Sequence, residues 1–217
     1  MARAVLFDLD GVLIDSYRAH LESWQALARE TGVTLTEEQF AEGFGSRSRD
    51  VLRRYWGEDI SDERLRALDA RKEAIFRECA ARAFPAMPGA RELLAGLSRD
   101  GFALAIGSSA PPENVEFAVD RLGCRPLLGA IVTGADVQHG KPHPQVFLVA
   151  AERLGIAAST CAVVEDAPQG IQAARAAGMK VVALASTGRR PEELRAERPD
   201  RLVSHLSELA PADFQEL

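Results

Sequence analysis

Val5-Leu6-Phe7-Asp8-Leu9-Asp10-Gly11-Val12-Leu13-Ile14 is the stretch that decides the fold. A short apolar run meets an acid, then a glycine, then a second apolar run. The first run reads as a buried strand of a parallel sheet, because such strands are covered on both faces and lack alternation. Asp8 then emerges at the strand's carboxyl end, the edge where open α/β sheets bind ligands. Two carboxylates two residues apart repel each other, and a magnesium ion is a natural reason to hold Asp8 and Asp10 there. A lone aspartate is more often a helix cap or a loop acid. Gly11 and the apolar Val12-Leu13-Ile14 weigh against a plain loop.

Further apolar runs repeat the pattern at Phe102–Ile106, Ala130–Val132, Cys161–Val164 and Val181–Leu184. Helical periods lie between or beside them at Gly89–Leu97, Pro112–Leu122, Pro144–Leu154 and Gln169–Ala177, and Gly123, Gly155 and Gly178 sit where helix ends favour glycine. Strands alternating with helices predict a parallel α/β sheet. The stretch 16–84 breaks the alternation. It carries helical patterns at His20–Glu30, Glu37–Glu42, Arg47–Trp56 and Asp62–Arg82 and no convincing strand, so it reads as an all-helical insertion. Phe84-Pro85-Ala86-Met87-Pro88-Gly89 marks the return, since two prolines and a glycine disfavour helix. The expected division is a core of 1–15 and 85–217 with a helical cap of 16–84. The tail from Arg189 to Leu217 reads as helical and is given no chemistry.

The composition is that of a globular chain, 47% hydrophobic and 27% charged over 217 residues. With 26 basic against 32 acidic residues the formal net charge is −6, the wrong balance for a duplex-binding domain, so nucleic acid is not an expected partner. No apolar run reaches the roughly 20 residues that span a bilayer, and Asp8 cuts short any signal-peptide core. Cys79, Cys124 and Cys161 are far apart with no CxxC pair, as in a reduced, cytoplasmic protein. A monomer or weak homo-oligomer is expected, and the oligomeric state is open, since no periodic seam or exposed patch can be judged from the sequence alone.

Three more segments carry chemistry. Ile106-Gly107-Ser108-Ser109 puts hydroxyls at a second strand end, beside a glycine that permits close backbone approach. Gly140-Lys141-Pro142-His143-Pro144 sets a lysine in a rigid turn before a helix, where its charge would meet phosphate oxygens and a carboxylate together. Val163-Val164-Glu165-Asp166-Ala167-Pro168-Gln169-Gly170 places two acids after another apolar strand, which suits magnesium held by Asp8 and Asp166. Each segment alone has a bland reading, as helix cap, solvated lysine or acidic turn. Their order at successive strand ends is harder to dismiss.

Together the four segments resemble the haloacid dehalogenase superfamily of phosphotransferases, in its branch with a helical cap after the first motif. The resemblance runs from Val5 to about Leu184. It implies a Rossmann-like parallel sheet core with an inserted all-helical cap domain, and a small phosphorylated metabolite as partner. It also implies roles residue by residue. Asp8 matches the nucleophile that forms an aspartyl phosphate, and Asp10 the acid/base that serves leaving group and water. Ser108, with Ser109 beside it, and Lys141 match the phosphate-binding groups. Asp8 and Asp166 match direct magnesium ligands, Asp10 adds its backbone carbonyl, and Glu165 acts directly or through its neighbours. Ala167 departs from the pattern, since many relatives carry serine there.

The cap residues bear on the substrate. His20 and Trp24 lie one helical turn apart, and Lys72 sits in the long cap helix; these match places in the β-phosphoglucomutase-like branch. Gly45, Ser46 and Arg47 form a candidate substrate loop, with the arginine one place earlier than the mutase pattern has it. Pro111-Pro112 replaces the mutase Lys-Asn pair after the serines. Both departures favour hydrolysis of a small sugar or polyol phosphate over a mutase reaction. A non-catalytic phosphometabolite-binding protein is the alternative of another class. Hinges are expected near Ile14–Tyr17 and Phe84–Pro88, where the chain crosses between modules.

Overall fold

The computed structural model describes residues 2–44, 48–188 and 190–217. The chain divides into two compact units, Met1–Asp15 with Ala86–Leu217, and Ser16–Pro85. Pro85 thus falls with the helical stretch rather than with the sheet.

The first unit is built on six strands: β1 (Ala4–Phe7), β2 (Ala103–Gly107), β3 (Ala130–Val132), β4 (Cys161–Glu165), β5 (Lys180–Leu184) and β6 (Arg201–Val203). Their order in the sheet is β3-β2-β1-β4-β5-β6, with every pair parallel. β1 is fully buried and central: Ala4 pairs with Ala103 on one side and Cys161 on the other. One layer of the core gathers alternate strand residues, Ala4 and Leu6, Cys161 and Val163, Val181 and Ala183, as the two-residue period of a strand requires. Against them pack Val146, Phe147 and Ala150 of α7 (Gln145–Leu154) and Ile171 and Ala174 of α8 (Pro168–Ala176).

The remaining helices of this unit are α5 (Ala90–Arg99), α6 (Pro112–Leu122), α9 (Pro191–Ala196) and α10 (Pro211–Gln215). Proline opens α6, α8, α9 and α10, where the missing N–H goes unneeded. Gly123 and Gly155 close α6 and α7 in the left-handed conformation.

The tail is where the sequence reading fails. Between the short helices α9 and α10 it supplies β6, whose residues pair with Val182, Ala183 and Leu184. Arg201-Leu202-Val203 is too short, and too closely flanked by charge, to stand out as a strand.

The second unit is helical throughout, with α1 (Tyr17–Thr31), α2 (Glu37–Gly43), α3 (Ser48–Trp56) and α4 (Asp62–Arg82). Leu21, Trp24, Leu27 and Ala28 form the apolar stripe of α1, and Leu65, Leu68 and Ile75 that of α4; they share one core with Leu52 and Phe40. Thr36 opens α2 with a capping box completed by Gln39. No helix among the described residues is long and apolar enough to cross a membrane.

Candidate active site

Parallel pairing fixes where the functional side chains meet. β1, β2 and β4 are neighbours running in one direction, so the residues that follow them leave the sheet at a common edge. Asp8 follows β1 and still belongs to the ladder, its N–H donating to the Val164 carbonyl at 3.0 Å. Ser108 follows β2 in the same way, its N–H donating to Val132 at 3.0 Å. Glu165 is the last residue of β4, and Asp166 comes next. Lys141 enters from the connection between β3 and α7, preceding a cis Pro142.

Lys141 Nζ donates to Asp8 Oδ1 at 2.6 Å and to Glu165 Oε1 at 2.6 Å. It also stands over the Phe147 ring, 4.7 Å from the centroid. That ring has room because residue 107 is glycine: a Cβ there would come within 2.9 Å of it. The other Glu165 oxygen, Oε2, accepts from the Ala167 N–H at 2.8 Å, and Asp166 Oδ2 accepts from the Ser186 hydroxyl at 2.9 Å. Ser108 is buried and its Oγ accepts from the Ala110 N–H at 3.0 Å.

Two glycines make space for the acids. A Cβ on Gly11, whose φ is +80°, would lie 2.1 Å from Asp166 Oδ2, and one on Gly170 would lie 1.7 Å from Glu165 Oε1. Neither position admits a side chain while the carboxylates stay where they are.

Asp8, Glu165 and Asp166 are all buried, and each offers an oxygen within 4.8 Å of the others. The Asp8 carboxyl is raised to about 8: burial raises it most, Lys141 pulls it down, and the charges of Glu165 and Asp166 push it up again. Burial alone would lower the Lys141 ammonium, but Asp8 and Glu165 outweigh it and hold it above its ordinary range. The two directions have one origin. Three buried acids face one lysine, so negative charge is in excess and one proton is retained. An all-oxygen donor set with excess negative charge suits a hard divalent cation such as magnesium. The residues therefore fit that ion, with Asp8, Asp166 and Glu165 as the groups that would hold it.

The remaining candidates are placed as follows. Asp10 is half-buried and its backbone bridges to Ile14. Ser109 is exposed, and its carbonyl oxygen abuts Gly134, where a Cβ would lie 2.6 Å away. In the helical unit Lys72 is 2% exposed, with Nζ 2.9 Å from His20 Nδ1 and 2.9 Å from Glu73 Oε1. An ammonium only donates, so in this contact Nδ1 is the acceptor. His20 stacks on Phe76 at 4.2 Å, and Lys72 Nζ stands 5.4 Å from the Trp24 ring centroid. His20, Trp24 and Lys72 thus form one cluster. Gly45, Ser46 and Arg47 lie outside the described residues. The sequence reading missed Ser186, one of two adjacent hydroxyl residues after β5 with no pattern around them.

Comparison with known proteins identifies a family. The model of the haloacid dehalogenase-like hydrolases matches residues 2–178. Hexitol phosphatase A of Escherichia coli (strain K12) is 35% identical over 182 residues, 84% of this chain and 82% of its own. Validoxylamine A 7'-phosphate phosphatase of Streptomyces hygroscopicus subsp. limoneus is 33% identical over 193 residues, 86% of this chain and 87% of its own. Among solved structures, a family IA, variant 3 hydrolase of the same class from Entamoeba histolytica superposes with a TM-score of 0.91 at 25% identity, covering 100% of this chain and 98% of that one. A sheet edge that gathers Asp8, Lys141, Glu165 and Asp166, a family model spanning most of the chain, and relatives above 30% identity agree: the chain belongs to the haloacid dehalogenase-like hydrolase family.

Proposed function

We propose that the protein is a magnesium-dependent phosphatase of small phosphate monoesters, of the sugar or polyol phosphate class, working through a covalent phosphoryl-Asp8 intermediate. The observation that carries this reading is Lys141, hydrogen-bonded at 2.6 Å to both Asp8 and Glu165 at the edge where Ser108 also leaves the sheet. The phosphatase names of the two curated relatives support hydrolysis as the outcome.

In this reading an Asp8 carboxylate oxygen attacks phosphorus as the bond to the leaving oxygen breaks, and protonated Asp10 gives that oxygen its proton. Asp10, now a carboxylate, takes a proton from water. The water oxygen attacks the same phosphorus, the phosphorus–Asp8 bond breaks, and inorganic phosphate leaves. Lys141 and Ser108 bind the phosphoryl oxygens and offset the charge that gathers in transfer. The cation, when held by Asp8, Asp166 and Glu165, neutralises the repulsion between carboxylate and phosphate. In the helical unit, His20, Trp24 and Lys72 are assigned to substrate selection.

A panel of sugar, polyol and other phosphate monoesters assayed for released phosphate tests this. Turnover is expected with magnesium, to vanish with chelator and to return on magnesium addition. Asp8→Asn is expected to lower kcat by at least about a thousandfold, in line with loss of other enzymic nucleophiles, while circular dichroism shows a folded chain. Retained turnover in that variant would remove Asp8 as nucleophile. Interconversion of hexose 1- and 6-phosphates without phosphate release would replace hydrolysis by the mutase reading.

A further inference from the structure

We infer that Ser186 is a positioning residue for the cation site: its hydroxyl fixes the carboxylate of Asp166 in the orientation that binds the divalent ion. The inference rests on the metal reading above and adds to it a residue that lies outside the four sequence segments.

The position is built from the backbone outward. Ala185 N–H donates to the Val203 carbonyl at 2.8 Å, which ties the chain leaving β5 to β6. Ser186 N–H then donates back to Leu184 at 2.9 Å, a tight reversal that points the chain over the sheet edge. The next side chain is also held, Thr187 Oγ1 donating to Asp15 Oδ2 at 2.8 Å. Ser186 is thus anchored on both sides by bonds that do not involve its own hydroxyl. Its Oγ is left to donate to Asp166 Oδ2 at 2.9 Å.

That oxygen is confined on a second side as well. Gly11 backs onto it so closely that a Cβ would stand 2.1 Å away. Asp166 itself is 1% exposed, so the carboxylate has little other freedom. A carboxylate held by a donor from a neighbouring strand end keeps one plane, which is what a metal ligand needs. Outer partners of this kind typically contribute ten- to a hundredfold in metal affinity. Two elements therefore meet in the site through Ser186: the end of β4, which carries the ligand, and the end of β5, which aims it.

The test is magnesium binding to the full chain by isothermal titration calorimetry, with manganese as a second probe. Ser186→Ala is expected to weaken binding by about ten- to a hundredfold, Ser186→Thr to keep most of the affinity, and the metal-free melting temperature to stay close to wild type in both. At saturating magnesium the KM for a phosphate ester is expected to be unchanged. If Ser186→Ala does not fold, Ser186→Cys, nearly isosteric with a weaker donor, takes its place with the same expected loss. Wild-type affinity in the alanine or cysteine variant would overturn the assignment and leave the metal reading standing. So would equal losses in the alanine and threonine variants, which would mark packing rather than the hydroxyl. No magnesium binding by the wild-type chain would overturn the metal reading and this assignment with it.

Discussion

Lys141 reaches two of the three buried acids and, with all three ionised, leaves the cluster two positive charges short. The pH behaviour follows. In the absence of a divalent ion the folded-state pKa of Asp8, about 8, lies above its ordinary 3.8. The native state therefore holds a proton that the unfolded chain releases. The stability tied to that proton is complete below pH 3.8, falls as pH rises, and is gone once pH passes about 8. Asp8→Asn removes the titration, so in chelator the variant is expected to gain on wild type steadily from pH 5 to pH 8. Urea midpoints at pH 5, 6.5 and 8 would measure this, and parallel curves would mean that Asp8 is already ionised in the metal-free fold. At this scale the sequence is informative where side chain and motif coincide. Asp8, Glu165 and Asp166 stand at the ends of apolar strands and Lys141 in a turn before a helix, and such positions can be read. Ser186 stands in Ala185-Ser186-Thr187, where nothing in the residue types marks one hydroxyl above the next.

The turn from β4 into α8 shows how an element is shaped by its site. Pro168 starts the helix and Gly170 follows within its first turn. Replacing a helical glycine by alanine ordinarily adds up to about 1 kcal/mol of helix propensity. Here the new methyl would stand 1.7 Å from Glu165 Oε1, an overlap with a buried carboxylate that is itself held by Lys141 and Ala167. Overpacking of that kind costs about 1–3 kcal/mol, so the clash outweighs propensity. Gly170→Ala is expected to destabilise the fold and to lower activity at least about tenfold through displaced Glu165. Denaturant unfolding beside kinetics checks both, and a stabilised variant would show that Glu165 yields without cost. The elements themselves were legible where burial on both faces leaves unbroken apolar runs, as in β1 and β4. They were illegible in β6, an edge strand of three residues pairing on one side only. Helix ends were readable at Gly123 and Gly155, where a positive φ requires glycine.

The whole molecule extends past the part that the family model matches. The matching model stops at residue 178, yet β5, β6 and α10 complete the sheet unit. Phe214 is fully buried, and its carbonyl accepts from the Ala2 N–H at 3.3 Å, joining the last helix to the start of the chain. The central place of β1 has a consequence for how the chain is made. Ala4 finds its partners only at Ala103 and Cys161, so the first strand leaves the ribosome with both ladder edges bare and must wait for most of the chain. At about 5–20 residues per second that wait lasts on the order of ten seconds. The helices of 17–82 share a core made entirely of their own stretch, so they need no such delay and are expected to form first. Pulsed hydrogen exchange during refolding should find amides of α1 and α4 protected before those of β1; simultaneous protection would refute this order. Until then Ala4-Val5-Leu6-Phe7 is an unpaired apolar ribbon, and the strand that later positions Asp8 is during synthesis open to wrong pairing.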